Sequence, residues 1–417
     1  MSSLGRGLAR AVAAFGALIA ACSSPDAKGP LPGAAGMAGM GAGTAGSGGA
    51  SGTATSGGNG GGPGSGGGAA GGQGGATPTG GTSGAAGSSA GGAAGGGRAG
   101  EPGAGSGSGG AAGSAGAPDD EPDGALTAFY LDVGGSVMAV DVATRAVRTV
   151  VEDAGQGPDG IAIDEELGHI YWTGMGAPAQ NNGFVRRSDL DGSNVAIIVP
   201  PGGTYTPKQL RIDPENEKLY WSDREGMRVM RANLDGSEIE TLVTTGTTAS
   251  DRRDSSRWCV GIALDVAGGY VYWSQKGPDN GDVGSIRRAP LAFPAGEDSG
   301  SRSDIEVLLA GLPEPIDIDL DLESRTIYWT DRGDDTINRA PIEIPSGETA
   351  ETRGDREILV RGVREAIGVT LDLERGRLYF TGGTLGRVGS ANLDGSDVVD
   401  LVTGTAGLTG IVLTELP

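Results

Sequence analysis

Phe129-Tyr130-Leu131-Asp132, Tyr171-Trp172-Thr173, Tyr220-Trp221-Ser222-Asp223, Tyr272-Trp273-Ser274, Tyr328-Trp329-Thr330-Asp331 and Tyr379-Phe380-Thr381 are six copies of one apolar-aromatic word. Their tyrosines follow one another after 41, 49, 52, 56 and 51 residues. A period of about 40–50 residues marks a repeated supersecondary unit, and an all-β unit of that length is a propeller blade.

Working outward from the word, each copy follows a short alternating strand that ends in a carboxylate. These opening strands read Gly160-Ile161-Ala162-Ile163-Asp164, Leu210-Arg211-Ile212-Asp213, Gly261-Ile262-Ala263-Leu264-Asp265, Ile316-Asp317-Ile318-Asp319 and Gly368-Val369-Thr370-Leu371-Asp372. A carboxylate there can accept backbone N–H groups of the turn that follows. A third strand comes after each word. Leu-Asp-Gly-Ser then makes the turn at Leu190 to Ser193, Leu234 to Ser237 and Leu393 to Ser396, where Gly accepts positive φ. A fourth, outer strand completes each unit. The first unit begins at its aromatic strand, and Gly410-Ile411-Val412-Leu413 is an opening strand with nothing after it. One missing strand and one spare strand of the same kind imply a closed ring, which removes unpaired sheet edges. The expected fold is all-β: a six-bladed β-propeller of four-stranded antiparallel blades over residues 119–417, with the C-terminal strand completing the first blade.

The rest of the 417-residue chain has a different character. Residues 29–118 are nearly all Gly, Ala, Ser and Thr, and hold about 40 of the 82 glycines. Such a composition has too little apolar surface to offset the entropy of ordering, so a disordered linker is expected over residues 22–118. Formal charge is −22; residues 1–118 contribute +2, which leaves −24 for the remainder. So acidic a domain repels phosphate backbones, and nucleic acid is not an expected partner. Residues 1–21 have the basic start (Arg6, Arg10) and short apolar run of a secretory signal, too short for a permanent span. The run ends Ile19-Ala20-Ala21-Cys22, which resembles the bacterial lipoprotein cleavage box. That resemblance implies cleavage before Cys22, diacylation of its thiol, and attachment to the bacterial cell envelope by lipid alone. Ser23 after the cysteine favours the outer membrane, on its periplasmic or surface-exposed side. The other cysteine, Cys259, reads as a small buried hydrophobe.

The aromatic word, the Gly-Ile-x-x-Asp strands and the Leu-Asp-Gly turns resemble the YWTD repeats of the low-density lipoprotein receptor class over about residues 126–416. The resemblance implies a six-bladed propeller used for extracellular binding. The fourth position of the word is Asp at Asp132, Asp223 and Asp331, but Gly174, Gln275 and Gly382 elsewhere, so the inter-strand bonds of that Asp are expected in half the blades.

Loops that lead into the opening strands and loops that leave the aromatic strands share one face around the channel. That face collects the candidate ligand-binding residues Asp159, Tyr205, Gln209, Arg224, Trp258, Glu314, Arg332 and Glu365. A protein, peptide or glycan ligand fits such a mixture of aromatic and charged groups. The alternative is a metal-dependent propeller enzyme of the lactonase, hydrolase or lyase sort, with Asp159, Glu314, Asp317 and Glu365 as oxygen ligands. No nucleophile motif is present, and the single histidine, His169, belongs to the opposite face. Asp279, Asp282, Asp334 and Asp335 are candidate Ca²⁺ contacts without the spacing of a known calcium loop; no other cofactor is expected. Arg211 and Asp317 are expected at equivalent channel positions, able to bridge. Residues 290–304 and 341–356 read as mobile insertions on the far face, and the molecule as a monomer.

Overall fold

The computed structural model describes residues 125–416 apart from 385, 405 and 406. The signal, Cys22 and linker readings therefore concern residues outside those described. The described residues form six separate four-stranded antiparallel sheets. Blade one is Leu408–Leu416, Ala125–Asp132, Ser136–Asp141 and Val147–Val151, from channel to rim. Blade two is Pro158–Asp164, His169–Gly174, Gly183–Asp189 and Ala196–Thr204; blade three is Pro207–Asp213, Lys218–Asp223, Arg228–Asn233 and Glu240–Thr244. Blade four is Cys259–Asp265, Tyr270–Gln275, Gly284–Pro290 and Glu306–Leu312; blade five is Pro315–Asp321, Thr326–Asp331, Thr336–Pro341 and Glu357–Arg361. Blade six is Ala366–Asp372, Arg377–Gly382, Arg387–Asn392 and Val399–Val402. The ring closes as the strand arithmetic requires: Ala128, Phe129 and Tyr130 pair with Leu413, Val412 and Ile411. Aromatic strands are buried on both faces, whereas the outer strand Val147–Val151 is largely exposed.

The aromatic word explains the seams. The Tyr of one blade packs with the second aromatic of the next: Tyr171 with Trp221, Tyr220 with Trp273, Tyr272 with Trp329, Tyr328 with Phe380. Tyr379 with Tyr130 and Phe129 with Trp172 carry the same pairing across blade one. The third position of the word adds a polar stitch. Thr173 accepts from the Gly160 N–H (2.8 Å) and donates to the Lys208 carbonyl of the next blade (2.7 Å). Ser274 does the same between Gly261 and Ile316, and Thr330 between Asp317 and Ile367. Ser222 donates to Gly261, and Thr381 to Thr409. Blade one has Leu131 in this place, and the Thr409 hydroxyl makes the step to Pro158 instead (3.0 Å). Inner strands approach so closely that a Cβ on Gly261 would lie 2.1 Å from the Ile316 carbonyl.

Strand-end carboxylates accept turn N–H groups at Asp164, Asp213, Asp265 and Asp372. In blade five the turn carboxylate is Asp321, not Asp319. Ile318 pairs with Trp329 as Ile161 pairs with Trp172, so the Ile316–Asp319 copy is read two residues out of register. Asp319, not Asp317, is thus the counterpart of Arg211. The fourth-position Asp crosses to the incoming loop at Asp223 and Asp331, while Asp132 caps only Gly134 of its own turn.

The long connections are packed rather than mobile. Arg302 is buried and donates to the carbonyls of Leu242, Pro290 and Ala292 while pairing with Asp304. Arg353 repeats the pattern with Leu308, Pro341, Glu343 and Asp355. An Arg-x-Asp near the end of each connection is the sequence signal for this lock. A buried guanidinium with all its partners in place holds a loop against the preceding blade.

Replacing Thr330 by Val keeps the shape but leaves the Asp317 N–H and the Ile367 carbonyl without their partner. Urea denaturation should show a loss of about 1–3 kcal/mol; an unchanged midpoint would mean that the hydroxyl stitch contributes nothing to the seam.

Candidate functional site

The opening of the channel is built by two residue positions per blade. One is the second residue of the opening strand: Asp159, Lys208, Val260, Ile316, Ile367 and Thr409. The other directly follows the aromatic word: Val133, Met175, Arg224, Lys276, Arg332 and Gly383. Blades three to five therefore bring three adjacent cations, and Lys208 brings a fourth. These four side chains line a small opening over Val260, Ile316 and Ile367.

Carboxylates stand behind the cations. Lys208 pairs with Asp159, whose other oxygen accepts from Gln209 (3.3 Å). Lys276 and Arg332 both pair with Glu314, and each lies 3.0 Å from Asp279. Arg224 pairs with Glu225 at 2.6 Å. Trp258 binds the group from one side: the Arg224 guanidinium is 5.1 Å and the Lys276 ammonium 5.6 Å from its ring centre, at cation–π range. Lys276 is 2% exposed, and burial together with the Arg332 charge pushes its ammonium below the usual range, against the pull of Glu314. Burial pushes the Asp279 carboxyl up, but Lys276 and Arg332 hold it below its ordinary value.

The channel is crossed below this opening. Arg211 of blade three donates to Asp317 (3.2 Å) and to the Ile318 carbonyl (2.9 Å) of blade five. The expected bridge exists, from non-equivalent positions. Burial raises Asp317 to about 6 despite Arg211.

Six of the eight candidate residues meet at the opening: Asp159, Gln209, Arg224, Trp258, Glu314 and Arg332. Tyr205 lies on the outer rim under the Arg252 guanidinium (4.2 Å), and Glu365 accepts from the Thr384 hydroxyl away from the cations. Lys208, Lys276 and the aliphatic floor complete the site, and their fixed offset from each aromatic word is the signal that marks them. Asp159, Glu314 and Asp317 are held in ion pairs, and among the described residues no three of His, Cys, Asp and Glu are grouped to hold a metal. Of the Ca²⁺ candidates, Asp279 belongs to the cation network, Asp334 accepts from Thr336 and Asp335 from the Glu365 N–H; Asp282 is an exposed loop residue with φ 52°. Cys259 is buried and burial pushes its thiol up to about 12, so it is inert.

The chain is 45% identical over 247 residues to a low-density lipoprotein receptor-related protein 1 of Pyricularia oryzae, covering 56% of this chain and 78% of that protein. It is 38% identical over 281 residues to a 3-hydroxyacyl-CoA dehydrogenase-like protein of Cochliobolus heterostrophus, covering 64% of this chain and 58% of that one. The chain thus spans little more than half of the second relative's length. Among solved structures, a nidogen/laminin complex superposes with a TM-score of 0.54 at 19% identity, covering 69% of this chain and 98% of that one. No family model matches the chain.

Asp223 and Asp331 occupy the same position, yet Asp223 has Arg228 at 2.6 Å where blade five has Thr336. Burial, then the nearby Asp334, raises Asp331 to about 7, and its Oδ2 is buried without a partner. An unfolded Asp ionises near pH 4, so the folded protein holds the extra proton between about pH 4 and about 7 and loses stability as pH rises through that window. The loss is on the order of 4 kcal/mol. Asp331→Asn should therefore gain stability relative to the parent when both are denatured at pH 8 instead of pH 5; a constant difference would refute the assignment.

Proposed function

The chain belongs to the low-density lipoprotein receptor-related family of YWTD-type propellers, and from that premise we propose that it is a binding protein whose channel opening takes a protein segment. One observation carries the reading: four buried cations face the opening over an aliphatic floor, with their carboxylate partners set behind them. A segment that places an Asp or Glu beside a Leu, Ile or Val meets both features. Its carboxylate joins the guanidinium of Arg224 or Arg332, and the aliphatic group covers Val260, Ile316 and Ile367. Burial of the cations strengthens such charge-assisted bonds relative to water. The superposed nidogen structure is of a complex with laminin, which agrees with a protein partner. The overall charge of −22 does not oppose an acidic ligand at this point, since local groups dominate within a Debye length of about 8 Å. Of the candidate metal ligands, Asp159, Glu314 and Asp317 are used in ion pairs and Glu365 accepts from the Thr384 hydroxyl, so no catalytic role is assigned to them.

We further propose that the propeller works at the end of a lipid-anchored tether. The support is the pattern of residues 1–22, with its basic start, short apolar run and Cys22. The two relatives compared are fungal and add no support to this reading. Ninety linker residues of Gly-rich coil have a root-mean-square reach of about 50 Å. That distance places the domain clear of an outer-membrane surface, as a monomer, without fixing its orientation.

Two measurements test these readings. In calorimetric titration against a peptide panel, acidic-aliphatic peptides should bind better than basic ones, and Arg224→Ala should weaken them about 10–100-fold. Preference for basic peptides, or no effect of Arg224→Ala, would remove the opening as the binding site. Expressed in a Gram-negative host, the parent should lose residues 1–21 and carry acyl chains on Cys22 by mass spectrometry, and Cys22→Ala should carry none; an unacylated parent, or a variant that stays membrane-bound and unprocessed just as the parent is, would end the anchoring proposal.

A further inference from the structure

Lys276 and Arg332 share two carboxylates that differ in one respect. Glu314 is enclosed, with a side chain 3% exposed, whereas the Asp279 side chain is 35% exposed. The Asp279 Oδ1 lies 3.0 Å from the Lys276 Nζ and 3.0 Å from the Arg332 Nη2. One carboxylate oxygen thus bridges an ammonium and a guanidinium from the solvent side. A carboxylate arriving from solvent would find its best hydrogen-bond donors in that same place.

Asp279 stands on the loop 276–283, between the strands Tyr270–Gln275 and Gly284–Pro290. Blade two has a loop of the same length, 175–182, between His169–Gly174 and Gly183–Asp189. Both loops have a left-handed glycine in second place, Gly176 (φ 71°) and Gly277 (φ 73°), and a left-handed residue in fifth, Ala179 (φ 58°) and Asn280 (φ 51°). Both close the same turn, from the Gln180 N–H to the Ala177 carbonyl (3.1 Å) and from the Gly281 N–H to the Pro278 carbonyl (3.0 Å). Blade two has Pro178 where blade four has Asp279. The turn therefore forms without a carboxylate at this position. At the foot of the loop, Met175 of blade two is replaced by Lys276 in blade four. The loop also leans across the seam to blade five: a Cβ on Gly333 would lie 3.0 Å from the Asn280 Oδ1. That lean brings Asp279 to Arg332.

We propose that Asp279 is an internal occupant of the seat that a ligand's carboxylate takes, and that binding exchanges one for the other on Lys276 and Arg332 while Glu314 stays in place. The proposal rests on the reading of the opening as a site for an acidic-aliphatic segment, and narrows it. The ligand's carboxylate goes to the Lys276–Arg332 pair, and its aliphatic group to the floor of Val260, Ile316 and Ile367. The exchange also gives specificity. A neutral or basic group that displaced Asp279 would leave two buried cations with one carboxylate between them, which is costly.

The test is calorimetric titration of the full chain with a blocked peptide, acetyl-Ala-Leu-Asp-Leu-Ala-amide, and with its Asn counterpart. Asp279→Ala should bind the Asp peptide about 5–20-fold more tightly than the parent does. Asp279→Asn, which keeps the shape, should gain in the same direction by a smaller factor. The control is Asp282→Asn, which removes an exposed carboxylate of the same loop from left-handed backbone that Asn also adopts. It should change affinity by less than about twofold. Unchanged or weaker binding by both Asp279 variants would overturn the exchange. An equal gain in Asp282→Asn would overturn it too, because relief of general repulsion would then be the cause. Failure of the wider reading has a different signature: the parent would bind the Asp and Asn peptides alike, and Arg224→Ala would change neither.

Discussion

The structure depends on a contact between an aromatic of one blade and the large aromatic of the next, made six times around a ring, five times by tyrosine and once by Phe129. A four-stranded sheet has two apolar faces and cannot stand alone; it must bury both against neighbours. Large flat side chains at the middle of each blade do this over much area with little rotamer entropy to lose. Trp172, Trp221 and Trp273 have no exposed surface as a result. Six equivalent contacts leave no free face only if the first and last blades also meet. The pairing of Ala128 to Tyr130 with Ile411 to Leu413 satisfies that condition with strands from opposite ends of the domain.

Once the aromatic seams fix the spacing of the blades, the inner strands have little freedom. Hydroxyls at the third position of the word join each opening strand to the next, and glycines such as Gly261 permit the close approach. The channel opening then stands on the second residue of each opening strand and on the residue directly after each aromatic strand. Arg224, Lys276 and Arg332 occupy one register position in three successive blades, so their mutual distances are set by the repeat itself. Arg211 and Asp317 brace the channel beneath them. Side chains held in this way have little conformational entropy left to lose.

Much of this was legible in the residues, and the failures are instructive. The period of the word marks the blade count, and the spare strand Gly410–Leu413 marks the closure. In blade five Asp317 and Asp319 imitate the strand-end carboxylate that Asp321 supplies. Alternation of period two repeats itself after a shift of two residues, so the pattern alone does not separate the two registers. The connections after Pro290 and Pro341 are polar, with Gly and Pro, the composition of a mobile loop, yet a buried arginine in each takes a carbonyl from the blade before it. Their partners lie 60 and 45 residues away, out of reach of any local reading.

The sequence by itself determined the architecture: the repeat, the alternation and the turn residues are local signals, and each blade states them again. It also determined which loops share the face around the channel, because antiparallel strands alternate in direction. Only the tertiary structure decided which charges meet there. Lys208 joins Asp159 across 49 residues, Lys276 joins Glu314 across 38, and Arg211 joins Asp317 across 106. Such partners depend on the register between neighbouring blades and on connections of unequal length. Ion pairing in a buried site is decided by distances of a few ångströms, and those exist only after the aromatic seams have closed the ring.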